Sequence, residues 1–232
     1  MGFRQVADGV HVWRYPVLDV NCTLITGTRR AVLVDTLSGP SQGRELAAAV
    51  AEVTTLPVAV VNTHAHFDHC FGNAAVRDAL GVTDFHAHPS VAARLRENDP
   101  GLIERVIAAY GHLDPVMAAE LPGIELHAPN RDVTGETRLD LGGRTVWLRH
   151  VGHAHSPGDV VVLADEAAVL GDIVEEGADP QTGDADLTGW TRALDALAPD
   201  LPGIVVPGHG ALVDAAFTTA QSRWLADRKD HQ

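Results

Sequence analysis

Residues 58–70 read Val58-Ala59-Val60-Val61-Asn62-Thr63-His64-Ala65-His66-Phe67-Asp68-His69-Cys70. An apolar run with the composition of a buried strand ends in three histidines and an aspartate packed into six positions. Side chains alternate along an extended segment, so His64 and His66 fall on one side and Asp68 continues their spacing. His69, next to Asp68, points elsewhere. A loop leaving the strand can therefore aim one pair of side chains at one metal ion and the other pair at a second. A set rich in imidazole suits zinc, with iron or manganese as alternatives.

Working outward, three further segments place a metal-competent group where an apolar strand emerges. Gly152-His153-Ala154-His155-Ser156-Pro157-Gly158-Asp159 offers two histidines on the same side of an extended stretch, and alternation does not choose between them. Ala168-Val169-Leu170-Gly171-Asp172 ends a short apolar strand in a carboxylate after glycine, and Pro207-Gly208-His209-Gly210 closes another. Asp172 alone reads equally well as a turn residue, so it is the joint pattern that counts. Cys70 reads as a small buried hydrophobe, and His86 and His88 as polar lining or surface. His11, His112, His127 and His231 have no such context.

The rest of the chain narrows the class. Its 232 residues, 45% hydrophobic, suit a single domain over residues 1–232. Two cysteines, Cys22 and Cys70, make neither a disulfide framework nor a thiolate zinc site, so nitrogen and oxygen must hold any metal. The excess of 31 acidic over 17 basic residues argues against nucleic acid and anionic membrane as partners. No apolar run reaches the length of a membrane helix, and the first residues lack the apolar core of a signal peptide, so a cytoplasmic protein is expected.

Strand patterns run over Val10–Tyr15, on either side of a turn at Gly27–Arg30, at Val58–Val61, and at Asp84–Ala87. Helical patterns cover Ser41 to Val53, Gly72 to Leu80, and Pro89 to Glu120 with breaks at Asp99-Pro100 and Asp114-Pro115. Strands return at Arg138–Leu141, Thr145–His150, Val160–Leu163, Ala168–Leu170 and Gly203–Pro207, with helices at Leu187–Leu197 and Asp214–Arg228. Early hairpins in each half exclude a simple alternating βαβ chain.

His64-Ala-His66-Phe-Asp68-His69, Ala-His155-Ser-Pro-Gly-Asp, Leu-Gly-Asp172 and Pro-Gly-His209-Gly, in that order, resemble the motifs of the metallo-β-lactamase superfamily. The resemblance runs from Val10 to His209. It implies a four-layer αββα sandwich, two sheets face to face with helices outside, and a site in a cleft along one edge. Position by position it implies a first metal held by His64, His66 and His155, and a second held by Asp68, His69 and His209. Asp172 is similar to the carboxylate that bridges the pair.

The implied enzyme is a hydrolase with two zinc ions per chain. A metal-bridging hydroxide would attack a small ester, thioester or lactone, with Asp68 orienting it or moving a proton. Alternatives are a β-lactam hydrolase and a mononuclear iron enzyme similar to sulfur dioxygenases. The superfamily's true β-lactamases generally carry Cys or Ser where this chain has Asp172, which favours the general hydrolase and glyoxalase II-like branches. The segment Ile173–Asp186 carries five acidic residues and no basic one. If it borders the cleft, neutral esters and lactones should be better substrates than a glutathione thioester.

Overall fold

The structure, a computed structural model, describes residues 2–229, and His231 lies outside them. Seven strands hydrogen-bond in chain order into a first sheet: β1 (Arg4–Ala7), β2 (Val10–Arg14), β3 (Asn21–Thr26), β4 (Ala31–Val34), β5 (Val58–Val61), β6 (Phe85–Ala87) and β7 (Arg131–Asp132). They pair antiparallel as far as β4 and parallel from β4 to β7. The second sheet has the order β12 (Val205–His209), β11 (Ala168–Glu175), β10 (Val160–Leu163), β9 (Thr145–His150) and β8 (Glu136–Asp140). Its only parallel pair is β11 with β12.

The period of two along each strand builds the layers. In β4, Val32 and Val34 point into the core between the sheets, where they meet Leu148, Val162, Val169 and Val206. Ala31 and Leu33 point the other way, toward Leu46 and Val50 of α1 (Pro40–Val53) and Val76 of α3 (Asn73–Leu80). The outer face of the second sheet likewise sends Val161 and Leu170 against Trp190 and Leu194 of α7 (Leu187–Leu197) and Leu225 of α8 (Ala215–Lys229). Helix, sheet, sheet, helix is the expected αββα sandwich. Each fully buried Val or Leu contributes about 1.5–3 kcal/mol, which explains why strands apolar on both faces dominate its interior.

Three helices, α4 (Pro89–Glu97), α5 (Pro100–Tyr110) and α6 (Pro115–Glu120), fill the connection between β6 and β7. Each begins with proline at its first position behind a residue, His88, Asp99 or Asp114, whose side chain accepts a backbone N–H. That chemistry accounts for the breaks seen in the sequence. Their inner faces make a separate apolar cluster with Phe67 and Phe71, including Leu95, Ile103 and Met117. This helical block stands beside the end of β5 and forms one wall of the cleft.

Two elements differ from expectation. β11 does not stop at Leu170 but continues through Asp172 to Glu175, all of it buried. Gly171 sits at φ +57° and the pairing with β12 shifts register on either side of it, so the glycine marks a bulge within the strand rather than its end. The histidine cluster is not extended throughout either: Phe67–Cys70 forms a helical turn, α2. Asp68 is positioned by that turn and not by strand alternation.

Candidate metal centre

The parallel strands of both sheets end on one edge of the sandwich, and the chain leaving them carries the chemistry. β5 is followed by His64 and His66, β4 by Asp35, β11 contains Asp172, and β12 ends in His209. An isolated bridge between Val20 and His209 joins the sheets here. Buried Asn21 reinforces it, donating to the carbonyls of Pro207 and Gly210 at 3.0 and 2.9 Å, on either side of His209.

All seven residues expected from sequence come together, in two groups. His64, His66, His155 and Asp172 can each direct one atom to a common point, and Asp68, His69 and His209 to another. Asp172 lies between them: Oδ1 is 3.1 Å from His69 Nε2, and Oδ2 is 3.2 Å from His209 Nε2 and 3.6 Å from Nε2 of both His64 and His155. Asp68 Oδ2 is 3.4 Å from His209 Nε2 and 3.8 Å from His69 Nε2. Of His153 and His155, only His155 turns toward the first group. His155 Nε2 is 2.9 Å from His66 Nδ1, whereas exposed His153 turns away to the backbone carbonyl of Asp184 at 2.7 Å.

The outer nitrogens decide what the inner ones can do. His155 Nδ1 donates to the Gln181 carbonyl at 3.1 Å, and His209 Nδ1 donates to the Leu18 carbonyl at 2.7 Å. His69 Nδ1 donates to Asp35 Oδ2 at 2.8 Å. Thr63 donates its hydroxyl to the same carboxylate at 2.8 Å, which leaves its oxygen to accept from His64 Nδ1 at 3.0 Å. With Nδ1 protonated in these four rings, four Nε2 lone pairs face inward. His66 is turned the other way, Nδ1 inward and Nε2 3.4 Å from Asp184 Oδ2.

Lone pairs and carboxylates facing one another need positive charge among them. His64 Nε2 and Asp172 Oδ1 are buried with no directed hydrogen-bond partner. Burial would lower the proton affinity of His209, yet Asp172 and Asp68 outweigh it and push the ring up to about 10. His69 is likewise raised well above its usual value: burial opposes this, and the surrounding carboxylates prevail. His64 and His155 go the other way, with burial foremost, His155 to about 4. The donor set therefore fits divalent metal, which would supply in place of protons the charge that these carboxylates demand.

Several supporting residues carry no motif. Buried Asp35, at φ +63°, also accepts the Thr63 N–H at 2.8 Å and so holds His64 and His69 together. Buried Asn62 and Asn73 hydrogen-bond each other, and Asn62 holds the His69 carbonyl at 3.1 Å. Asp159 accepts from the Ser156 hydroxyl and from the N–H groups of Ser156 and Ala154, fixing the turn after His155. Asp35 follows an apolar strand just as Asp172 does within its own, and that was the available signal.

Three neighbouring residues stand outside the two groups. Cys70 is buried, its thiol donating to the His66 carbonyl. His86 is buried rather than at the surface, and burial lowers it to about 4. Glu175, counted above in an acidic loop, is a buried strand residue 3.8 Å from His155 Nδ1, and burial pushes it up to about 7.

The cleft is a cavity of about 1180 Å³. The segment after Asp172 does border it, through Glu176, Gln181 and Asp184 among others. The facing wall carries Arg94 and Arg105, so the rim is not uniformly acidic.

Residues 15–209 match the family described as the metallo-beta-lactamase superfamily. A hydroxyacylglutathione hydrolase of Polaromonas sp. is 32% identical over 105 residues, 45% of this chain but 39% of that protein. The chain thus covers well under half the length of that relative. An uncharacterized Mycobacterium tuberculosis protein is 29% identical over 171 residues, 66% of this chain and 69% of its own. Among solved structures, a metallo-beta-lactamase from Pontibacter korlensis superposes with a TM-score of 0.75 at 20% identity, covering 97% of this chain and 98% of its own. One from Hirschia baltica gives 0.68 at 21%, with 96% of each chain covered. At such identities these two carry the fold alone. Among the described residues, no helix is long and apolar enough to cross a membrane.

Proposed function

The chain belongs to the metallo-beta-lactamase superfamily, and on that premise we propose that it is a dinuclear zinc hydrolase of small acyl substrates: an ester, thioester or lactone. The observation that carries this reading is the position of Asp172, 3.1–3.6 Å from four inward imidazole nitrogens drawn from both groups. His64, His66 and His155 would hold one ion and Asp68, His69 and His209 the other, with Asp172 shared. Bound there, the ions would supply Lewis acidity and an activated water at neutral pH.

The protein's own part is orientation and proton handling. Asp35, Thr63, Gln181 and Leu18 fix the tautomers and tilts of four rings, so that little reorganisation remains at the moment of reaction. Asp68 lines the cavity as well as the second group. In this reading it would accept a hydrogen bond from the attacking water and pass its proton to the departing oxygen or sulfur.

A second reading, hydrolysis of a glutathione thioester, is favoured by the likeness to the Polaromonas enzyme and by Arg94 and Arg105 on one wall. Against it, each arginine already has a carboxylate neighbour, Glu97 at 3.7 Å and Asp99 at 3.3 Å, and the opposite rim is acidic. A hydrolysis panel of lactones, aryl esters, β-lactams and S-lactoylglutathione with the zinc-loaded protein tests both. The highest kcat/KM should fall on a neutral ester or lactone. A maximum on S-lactoylglutathione at low salt transfers the assignment to the second reading, and no turnover of any member contradicts the proposal.

A further inference from the structure

The cleft is larger, and on one side more apolar, than a small ester requires. Its volume of about 1180 Å³ exceeds the roughly 300–1,000 Å³ that usually encloses a drug-sized ligand. The converging polar groups occupy one end, at the histidines. The wall leading away from them is α5.

Leu102, Val106, Ala109 and Tyr110 of α5 all line the cavity. They stand at i, i+4, i+7 and i+8, one face of the helix. Ile103 and Ile107, beside them on the helix, pack with Leu95, Met117 and Leu121. Val106 is buried in that same cluster and Leu102 packs against it, so the buried side of the helix continues without a break into the cavity wall formed by Leu102, Val106, Ala109 and Tyr110. At its end Tyr110 is 38% exposed, one of four exposed large hydrophobic residues among those described, and two of the others, Leu113 and Val116, follow directly. The Tyr110 ring lies 5.1 Å from that of Phe67, tilted by 31°. Phe67 separates His66 from Asp68 in the chain, so the apolar track begins at the ligand cluster.

Single exposed apolar residues need no explanation. This face differs because its apolar residues are contiguous and open into the same cavity as the ligand atoms, with Arg105, which also lines the cavity and lies 3.3 Å from Asp99, at its edge. From Leu102 to Tyr110 it runs about 12 Å at 1.5 Å per residue, room for an extended chain on the order of eight to ten carbons. We propose that this face of α5 is the subsite for an unbranched apolar substituent of the substrate, whose reacting carbonyl sits at the histidine cluster. The proposal rests on the hydrolase reading for which bond is broken, and adds what holds the substrate.

The test has two arms, both on the metal-loaded protein. In the first, 1-octanol is titrated against methyl-labelled protein and followed by NMR. Saturable shifts of the Leu102 and Val106 methyls are expected, and the Val106 shifts should be lost in Ala109→Trp, which fills the stripe, and in Leu102→Gln, which makes it polar without added bulk. In the second arm, 4-nitrophenyl esters from acetate to decanoate are compared. Burial of methylenes on a half-open wall should raise kcat/KM by roughly tenfold or more between acetate and octanoate. The octanoate-to-acetate ratio should collapse in both variants. Saturable shifts with no ester turned over at any length would leave the subsite standing and refute the hydrolase reading. Absence of shifts at the stripe overturns the subsite, whatever the esters do, and a flat length profile in an active enzyme does the same.

Discussion

A Cβ on Gly208 would stand 1.8 Å from Oδ1 of Asp172 and 2.8 Å from its backbone nitrogen. The glycine before His209 thus keeps the path clear for the carboxylate shared by both groups. Gly208→Ala should push Asp172 out of place while leaving every other proposed ligand present. The expected result is loss of at least one ion by elemental analysis and a fall in kcat/KM of about 10–100-fold. Full metal content and unchanged rate would mean that Asp172 has no part in holding the pair.

His155 and His153 can be separated by single substitutions. His155→Ala removes an inward Nε2 from the first group, and activity should fall on the order of 100-fold or more with loss of one ion. The His153 ring hydrogen-bonds the Asp184 backbone carbonyl at 2.7 Å and lies outside both groups, so His153→Ala should keep both ions and most activity. Metal content of the two variants decides the matter, and the opposite pattern reverses the assignment.

Asp35→Ala leaves the Nδ1 proton of His69 and the Thr63 N–H and hydroxyl, all buried, without their acceptor. Metal affinity should drop about 10–100-fold, read as zinc release to a competing chelator. A destabilisation of about 1–3 kcal/mol should accompany it in the metal-free protein, from the buried donors left unmatched. Unchanged zinc affinity would show that the second group does not depend on how Asp35 holds His69.

Asp159 gives a pH signature. Burial raises its carboxyl to about 6 in the folded chain, against 3.8 ordinarily. An acid raised by folding binds its proton more tightly in the folded state. Its contribution to stability is therefore fully present below about pH 4 and lost as pH rises through about 6, an effect on the order of 2–3 kcal/mol. Asp159→Asn can keep accepting from Ser156 and Ala154 N–H while donating to the Ser156 hydroxyl, so it mimics the protonated acid. Denaturant titrations of the metal-free protein should show wild type losing stability relative to the variant between about pH 4 and 6. A constant difference across that range would contradict the shift.

How much of this was legible in the sequence depended on whether the signal was local. Val58–Val61 followed by His64, His66, Asp68 and His69 could be read at once, because apolar strand and ligand atoms are adjacent in the chain. The two breaks in the helical block, at Asp99-Pro100 and Asp114-Pro115, and its start at Pro89 were equally local. Asp35 was hidden because its partners lie 28 and 34 residues away, and one aspartate after a strand reads as a turn. Gly171 misled in the opposite sense. A glycine after three apolar residues resembles a strand end, whereas here its positive φ and a would-be Cβ contact of 2.9 Å with Thr63 make it a bulge that aims Asp172 inward. The wall of α5 was invisible as a wall, since a broad apolar face on a helix reads as core until the cavity beside it is seen.

Anomalous scattering at the zinc edge from crystals of the native protein, with elemental analysis of the same preparation, tests the central claim most directly. Two peaks are predicted, one among His64, His66 and His155 and the other among Asp68, His69 and His209, with Asp172 in contact with both. A single fully occupied ion, with Asp172 and His209 uncoordinated, would contradict it.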